Sequence, residues 1–139
     1  MALDGKTLGL ALSGGGFRAT LFGLGSLARI NDSGLLGKLD VITSVSGGSI
    51  LAGILAQRWS QLAFEDGRAA NFDAVISAPT IEFCQRTIDI GAGLKGLINP
   101  LKSAGAYLTD CYDKYLFHGM RLRDIPPADT PGLPTFVYY

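Results

Sequence analysis

Three short apolar runs stand out along the chain, and turn residues adjoin each of them. Residues 8–12 carry no charge and are followed, after one serine, by three consecutive glycines. Residues 41–43 are β-branched and lead into a turn of serine and glycine, and residues 135–139 form a third run at the end of the sequence. Runs of this length and composition predict strands, the first of them buried.

Helical patterns follow the first two strands. Leu21, Leu24 and Ala28 recur at spacings of three and four residues, which predicts a helix with one apolar face. Residues 49–59 are apolar nearly all round, as expected for a helix buried beneath other elements. A strand, a helix and a parallel strand form a right-handed crossover, so the turns after both strands meet at one edge of the sheet. We therefore expect a compact α/β protein.

The pattern is less regular further along. Residues 60–73 are polar and predict a helix end followed by a surface loop, and residues 79–88 predict a helix opened by proline. Residues 91–100 are rich in glycine and form either a lid or interfacial loop or an ordinary linker. A helix is predicted over residues 104–117. An aromatic and apolar stripe at helical spacing runs along this helix and consists of Tyr107, Leu108, Cys111, Tyr112, Tyr115 and Leu116. These residues either belong to the core or line a substrate site.

The turn after the second strand carries the first candidate chemistry. Residues 43–49 have the sequence Thr-Ser-Val-Ser-Gly-Gly-Ser. In a nucleophile elbow the central residue is strained and exposed, and small neighbours let the strand and the helix approach closely. We interpret Ser46 as a nucleophile, with Gly47 and Gly48 supplying the room. The usual first glycine of the elbow is Ser44 here, and a turn without chemistry is the alternative.

The turn after the first strand is the second candidate. Gly14, Gly15 and Gly16 precede the first helix. The first N–H groups of a helix lack partners within the helix, and its dipole favours negative charge there. If this turn faces Ser46, its N–H groups can hold the oxyanion of an acyl-transfer intermediate.

Together the two turns resemble the motifs of the patatin-like phospholipase family. The resemblance rests on residues 14–18 (Gly-Gly-Gly-Phe-Arg) and residues 45–49 (Val-Ser-Gly-Gly-Ser), and it is clear from about residue 8 to residue 59. It implies a three-layer α/β sandwich with a mainly parallel central sheet. It also implies a serine lipid acyl hydrolase of the phospholipase A type, in which a serine and an aspartate act as a dyad.

The resemblance gives each motif residue a role. Ser46 is similar to the catalytic serine, and Arg18 and Gly48 support the two motifs. Arg18 either ties the glycine turn to nearby backbone carbonyls or contacts a lipid phosphate. The oxyanion hole is implied at Gly14, Gly15, Gly16 and Gly47.

The aspartate of the dyad has no counterpart in the sequence. The family usually carries it in an Asp-Gly-Gly or Asp-Gly-Ala turn, whereas Asp4 and Asp66 are followed by Gly-Lys and Gly-Arg outside any suitable strand context. We therefore expect residues 1–139 to be the N-terminal portion of a patatin-like domain. The aspartate is expected on a downstream segment or on a second chain.

Three other interpretations compete with this one. A Ser-His-Asp triad would have to use His118, which is predicted to end a helix rather than to lie at a strand end. A nucleotide-binding domain would need a third glycine or a Gly-Lys-Ser/Thr sequence, and neither follows Gly16. A catalytically silent lipid-binding or interaction module of the same fold remains the alternative function.

Charge, cysteine content and the search for targeting segments limit the binding partners and the cellular location that we expect. Twelve basic and twelve acidic residues leave no net formal charge, so bulk electrostatics do not favour nucleic acid. Cys84 and Cys111 are isolated and predict two buried thiols, with a disulfide as the alternative. We expect no cofactor and no metal, and a lipid or acyl-ester substrate at a membrane surface. Without a signal peptide or a membrane span, we expect a cytoplasmic or peripheral membrane protein.

Overall fold

The computed structural model describes residues 8–92, 109–125, 127 and 130–139. Its strands are β1 (Gly9–Leu12), β2 (Val41–Ser44), β3 (Phe64–Glu65), β4 (Arg68–Ala69) and β5 (Thr135–Tyr138). Its α-helices are α1 (Gly16–Asp32), α2 (Gly47–Arg58) and α3 (Ala78–Ala92). Short 3₁₀ helices cover Leu36–Lys38, Trp59–Gln61 and Leu122–Asp124, and π-helices cover Asp73–Ser77 and Asp113–Phe117.

The main sheet is parallel and has the strand order β1-β2-β5. Leu12 pairs with Ser44 at the end of β1, and Ser44 pairs with Tyr138 at the end of β5. The carboxyl ends of the three strands therefore lie at one edge, where the turns after β1 and β2 also meet. This confirms the predicted α/β class and the three predicted strands.

The crossover helix α1 packs against α2, and α2 packs on all three strands of the main sheet. Gly23 permits this contact, because a Cβ at Gly23 would lie 3.0 Å from Cδ2 of Leu51. Leu51 and Leu55 of α2 are completely buried and form the centre of the core. The prediction of a buried helix after the second strand is confirmed, and that helix begins at Gly47, two residues earlier than expected.

The helix end predicted from residue 60 is confirmed by the 3₁₀ turn Trp59–Gln61. The surface loop predicted up to residue 73 is wrong, because β3 and β4 form an antiparallel hairpin there. Asp66 and Gly67 make its turn with φ values of 50° and 84°. Asp-Gly with two positive φ values is the sequence typical of a two-residue hairpin turn. The hairpin is held by buried Asn31 of α1, whose side-chain amide donates to the Ala69 carbonyl at 3.0 Å and accepts from the Ala69 N–H at 2.7 Å.

The predicted proline-opened helix is α3, with Pro79 in its first turn. A π-helical turn, Asp73–Ser77, precedes it and was not predicted. Of the lid or linker segment at residues 91–100, the first two residues continue α3. Residues 93–100 lie outside the described part of the chain, and so does the beginning of the helix predicted from residue 104.

The described part of the aromatic stripe lies mainly in the core. Cys111 and Leu116 are buried, and Tyr112 and Tyr115 are half-buried against the core. The helix ends as predicted, with His118 in the left-handed conformation at φ 49°. Tyr107 and Leu108 lie outside the described residues.

Candidate active site

Ser46 lies in the turn between β2 and α2, at the carboxyl edge of the sheet. Its backbone has φ 53° and ψ −121°, a conformation that residues other than glycine rarely adopt. The residue is exposed, whereas Gly47 and Gly48 after it are buried. Backbone strain of this kind costs about 1–3 kcal/mol and persists only where the surrounding structure enforces it. The predicted strand, turn and helix are confirmed, and the catalytic role of Ser46 stays a prediction.

Contacts of two glycines enforce this turn. A Cβ on Gly47 would collide with the backbone of Gly16, and a Cβ on Gly48 would lie 2.5 Å from the carbonyl oxygen of Leu12. A side chain at either position would therefore separate the turn after β1 from the turn after β2. The predicted role of both glycines, to permit close approach, is confirmed.

The glycine turn lies directly beside Ser46. A Cβ on Gly14 would be 3.1 Å from Cβ and 3.7 Å from Oγ of Ser46. Gly15 and Gly16 have φ values of 134° and 64°, and no side chain caps the start of α1. The sequence argument that both turns meet at one sheet edge is thus confirmed, while the binding of an oxyanion stays a prediction.

Two hydroxyl groups strengthen the turn after β2. The Thr20 hydroxyl of α1 donates a buried hydrogen bond of 2.8 Å to the Gly47 carbonyl. The Ser49 hydroxyl donates to Oγ of Ser44 at 3.1 Å. Ser44 is only 3% exposed, so the serine that replaces the usual glycine is accommodated by a polar partner.

The interpretation of Arg18 as a tie to backbone carbonyls gains no support from the described residues and stays a prediction. Its side chain is exposed. Within residues 8–92 and the later described segments, no hydrogen bond or ion pair joins its guanidinium to the glycine turn. Contact with a lipid phosphate stays a prediction.

An apolar cavity of about 530 Å³ lies beside Ser46. Burial raises the pKa of Tyr138 to about 12, and its hydroxyl donates to the Ala52 carbonyl at 3.5 Å. Burial is also the main cause that raises the pKa of Tyr112, and the nearby Cys111 and Cys84 thiols raise it further. Both phenols are therefore neutral at neutral pH. The cavity is lined by Gly16, Phe17, Ser46, Gly47, Ser49, Ile50, Gly53, Tyr112, Phe117, Met120, Arg121, Ile125 and Tyr138.

A general base is missing from this lining. None of the described residues around the cavity is Asp, Glu or His, and no described side chain forms a hydrogen bond with Oγ of Ser46. His118 lines a separate pocket together with Arg58 and Lys114. Its placement agrees with the sequence argument against a triad that uses His118.

The two cysteines take no part in this site. Both Cys84 and Cys111 are buried free thiols, as predicted, and no disulfide joins them. Burial raises the pKa of the Cys84 thiol, which keeps it protonated and unreactive at neutral pH. Over the described segments, no group of His, Cys, Asp and Glu is arranged to hold a metal ion.

Sequence reasoning did not find several residues of the site. Thr20, Phe117, Met120 and Tyr138 reach it from distant parts of the chain. Of the aromatic and apolar stripe that the sequence offers for substrate lining, Tyr112 is the member found among the described lining residues. No local motif marks the four missed residues, because their role comes from packing between elements far apart in sequence.

Comparison with known proteins bears on this arrangement. The family model described as "Patatin-like phospholipase" matches residues 10–124. This match includes most of β1, both glycine turns, Ser46 and most of the cavity lining. The chain belongs to the patatin-like phospholipase family. The three-layer α/β class expected from the resemblance is thereby supported together with the parallel sheet.

A curated protein from yeast is similar to part of this sequence. The protein named "Putative meiotic phospholipase SPO1" of Saccharomyces cerevisiae is 31% identical over 100 residues, which is 71% of this chain. The aligned region is only 16% of the length of the yeast protein. No solved structure is significantly similar. Within the described segments, no helix combines the length and the hydrophobicity that crossing a membrane requires.

Proposed function

We propose that this patatin-like protein hydrolyses acyl esters of lipids and that Ser46 is the nucleophile. The observation that carries the proposal is the position of Ser46. Its side chain is exposed on a strained turn and lines an apolar cavity of about 530 Å³. Ligand cavities are commonly of this size and are lined mainly by apolar groups. An acyl chain fits such a lining, and the reactive ester would then lie at the hydroxyl.

The proposed reaction proceeds through an acyl-enzyme. Oγ of Ser46 attacks the ester carbonyl carbon as its proton passes to a base, and the C–O bond to the alcohol then breaks. The alcohol leaves with a proton, and water releases the fatty acid in a second attack. The developing oxyanion is held by backbone N–H groups of the glycine turn, joined by that of Gly47. The close approach of Gly14 to Ser46 supports this assignment.

The base is proposed to be an aspartate outside residues 1–139, on a downstream segment or a second chain. The lack of an acidic or histidine side chain around the described cavity supports this placement. Replacement of that aspartate by asparagine should abolish turnover and leave folding intact. Activity of residues 1–139 alone equal to that of the full-length protein would contradict it.

The test of the proposed function is hydrolysis of p-nitrophenyl esters and phospholipid vesicles. Ser46→Ala should lower kcat by several orders of magnitude without loss of stability. Ser26→Ala is a matched control, because Ser26 is a partly exposed serine of α1 whose hydroxyl donates to the Phe22 carbonyl and which does not line the cavity. Turnover that survives in Ser46→Ala would exclude Ser46 as the nucleophile.

A silent lipid-binding module is the second candidate, and it is supported by the lack of an acidic or histidine side chain among the described residues of the cavity. Such a module would bind a lipid with the same cavity and release no fatty acid. Equal binding of a fatty-acid probe by wild type and Ser46→Ala, with no hydrolysis by the full-length protein, would support this candidate.

A further inference from the structure

Along the described part of α2, the lining of the cavity beside Ser46 ends where the ring of Phe117 lies on Gly53. A Cβ on Gly53 would be 2.9 Å from Cζ and 3.0 Å from Cε1 of that ring. The ring therefore packs against the backbone of α2 with no room for a side chain beneath it. Glycine inside a helix lowers the stability by about 0.5–1 kcal/mol relative to alanine. The contact with the Phe117 ring requires glycine at position 53 despite this loss.

Phe117 and Gly53 both line the cavity, and the described lining on α2 ends at this pair. On that helix the lining runs from Gly47 through Ile50 to Gly53 and goes no further. Residues three apart lie on the same face of a helix, so these positions form one wall that leads away from Ser46. The Phe117 carbonyl accepts a hydrogen bond of 3.3 Å from the Gln57 side chain, one turn beyond Gly53. The backbone of Phe117 thus lies past the end of the wall, and its ring reaches back onto it.

The position of Phe117 is fixed by the end of its π-helix. The His118 N–H donates to the Asp113 carbonyl, and the Gly119 N–H donates to Oδ1 of Asp113, both at 2.6 Å. Single π-helical turns occur frequently at functional sites. Here the turn directs one aromatic ring into the cavity, while Tyr115 of the same turn lines a separate pocket.

The length of the wall limits the acyl chain. With a rise of about 1.5 Å per residue, Gly53 lies about 10 Å along α2 from Ser46. An extended chain advances about 1.2 Å per bond, so the wall has room for about eight bonds. We infer that Phe117 sets the acyl-chain length and restricts the site to medium-chain esters, close to octanoyl. This inference rests on the proposed function.

The chain-length profile of hydrolysis tests the inference. We would measure kcat/KM of the full-length protein for p-nitrophenyl butanoate, octanoate, dodecanoate and hexadecanoate. Each methylene buried in the cavity should raise kcat/KM about fourfold, up to octanoyl and no further. Phe117→Ala should move the optimum to dodecanoyl or longer. Tyr115→Ala is the matched control, because it also removes an aromatic ring from the same π-helix, and it should retain the wild-type profile.

Other outcomes would overturn the inference. A wild-type optimum at hexadecanoyl, or an unchanged profile in Phe117→Ala, means that Phe117 does not limit the chain. If Phe117→Ala fails to fold, Phe117→Leu tests the same point with a smaller loss of volume. Ser46→Ala separates the two claims. Loss of hydrolysis in Ser46→Ala with an unchanged Phe117→Ala profile refutes only the chain-length inference, whereas hydrolysis that persists refutes both.

Discussion

The hydroxyl of Thr20 donates a 2.8 Å hydrogen bond to the carbonyl oxygen of Gly47, and both residues are buried. This bond joins α1, which begins at the glycine turn, to the first residue of α2. It therefore connects the two segments that the proposed mechanism uses, the oxyanion site and the nucleophile. The strained backbone of Ser46 lies immediately before the accepting carbonyl.

Thr20→Val should weaken this connection while it preserves the shape of the side chain. Because one buried hydrogen bond is lost, we expect the free energy of unfolding to fall by about 1 kcal/mol. We also expect kcat to fall with little change in KM. Urea unfolding and ester kinetics measure the two effects. Thr20→Ser keeps the hydroxyl and should retain most of the kcat; if Thr20→Val is as stable and as active as wild type, the bond has no such role.

Gly48→Ala should severely destabilise the protein. The added Cβ would lie 2.5 Å from the Leu12 carbonyl oxygen, so β1 and α2 would have to separate. Overpacking typically costs about 1–3 kcal/mol, and a backbone neighbour cannot rotate away. Gly25→Ala is the matched control in α1, because its Cβ would meet nothing within 4 Å. Thermal melting should show a large loss for Gly48→Ala and no loss for Gly25→Ala, and equal melting temperatures would contradict the packing argument.

Gly16→Ala tests the oxyanion site. Its Cβ would meet nothing within 4 Å, but alanine is strained at φ 64° and would shift the N–H groups of the turn. Loss of one oxyanion donor costs about 2.7–4 kcal/mol in the transition state, so kcat should fall about 100- to 1,000-fold with KM nearly unchanged. Gly132→Ala imposes similar strain at φ 79°, also in open space, and Gly132 does not line the cavity. If both variants had the same kcat, the glycine turn would have a structural role and would not hold the oxyanion.

Tyr138 should make stability depend on alkaline pH. Burial raises the pKa of this phenol from 10 in the unfolded chain to about 12 in the folded one. The folded state therefore keeps a proton that the unfolded state loses, and the contribution of Tyr138 to stability declines as the pH rises from about 10 to about 12. Urea unfolding at several pH values measures this. Tyr138→Phe should flatten the decline, whereas Tyr139→Phe, at an 84% exposed position, should not. A decline as steep in Tyr138→Phe as in wild type would exclude the phenol as its source.

Local signals predicted the centre of the site. Residues 41–49 contain a β-branched strand, a turn of small residues and an apolar helix, and each part can be recognised within a few residues. Gly14–Gly16 could be placed beside Ser46 because a crossover between parallel strands has one handedness. The structure has this arrangement, with the Gly14 Cβ position 3.7 Å from Oγ of Ser46.

The rest of the site depends on contacts that no local pattern encodes. Phe117 meets Gly53 only after the segment that carries it packs on α2. Its aromatic neighbours on the same segment looked equivalent in sequence, because burial and cavity lining require the same residue types. The hairpin turn at Asp66 and Gly67 did have a local signal, but the flanking strands are two residues long, which is too short for an alternating pattern to be recognised.

A fluorophosphonate probe tests the central claim most directly. This reagent phosphonylates a serine only where the hydroxyl is activated and donors can hold the phosphonyl oxygen, so it reports the nucleophile and the oxyanion site together. We would label the full-length protein and locate the modified residue by peptide mass spectrometry, with Ser46→Ala and Ser26→Ala in parallel. The account predicts one modified peptide, labelled at Ser46, present in Ser26→Ala and absent from Ser46→Ala. Labelling that persists in Ser46→Ala, or a wild-type protein that hydrolyses esters yet is never labelled at Ser46, would contradict it.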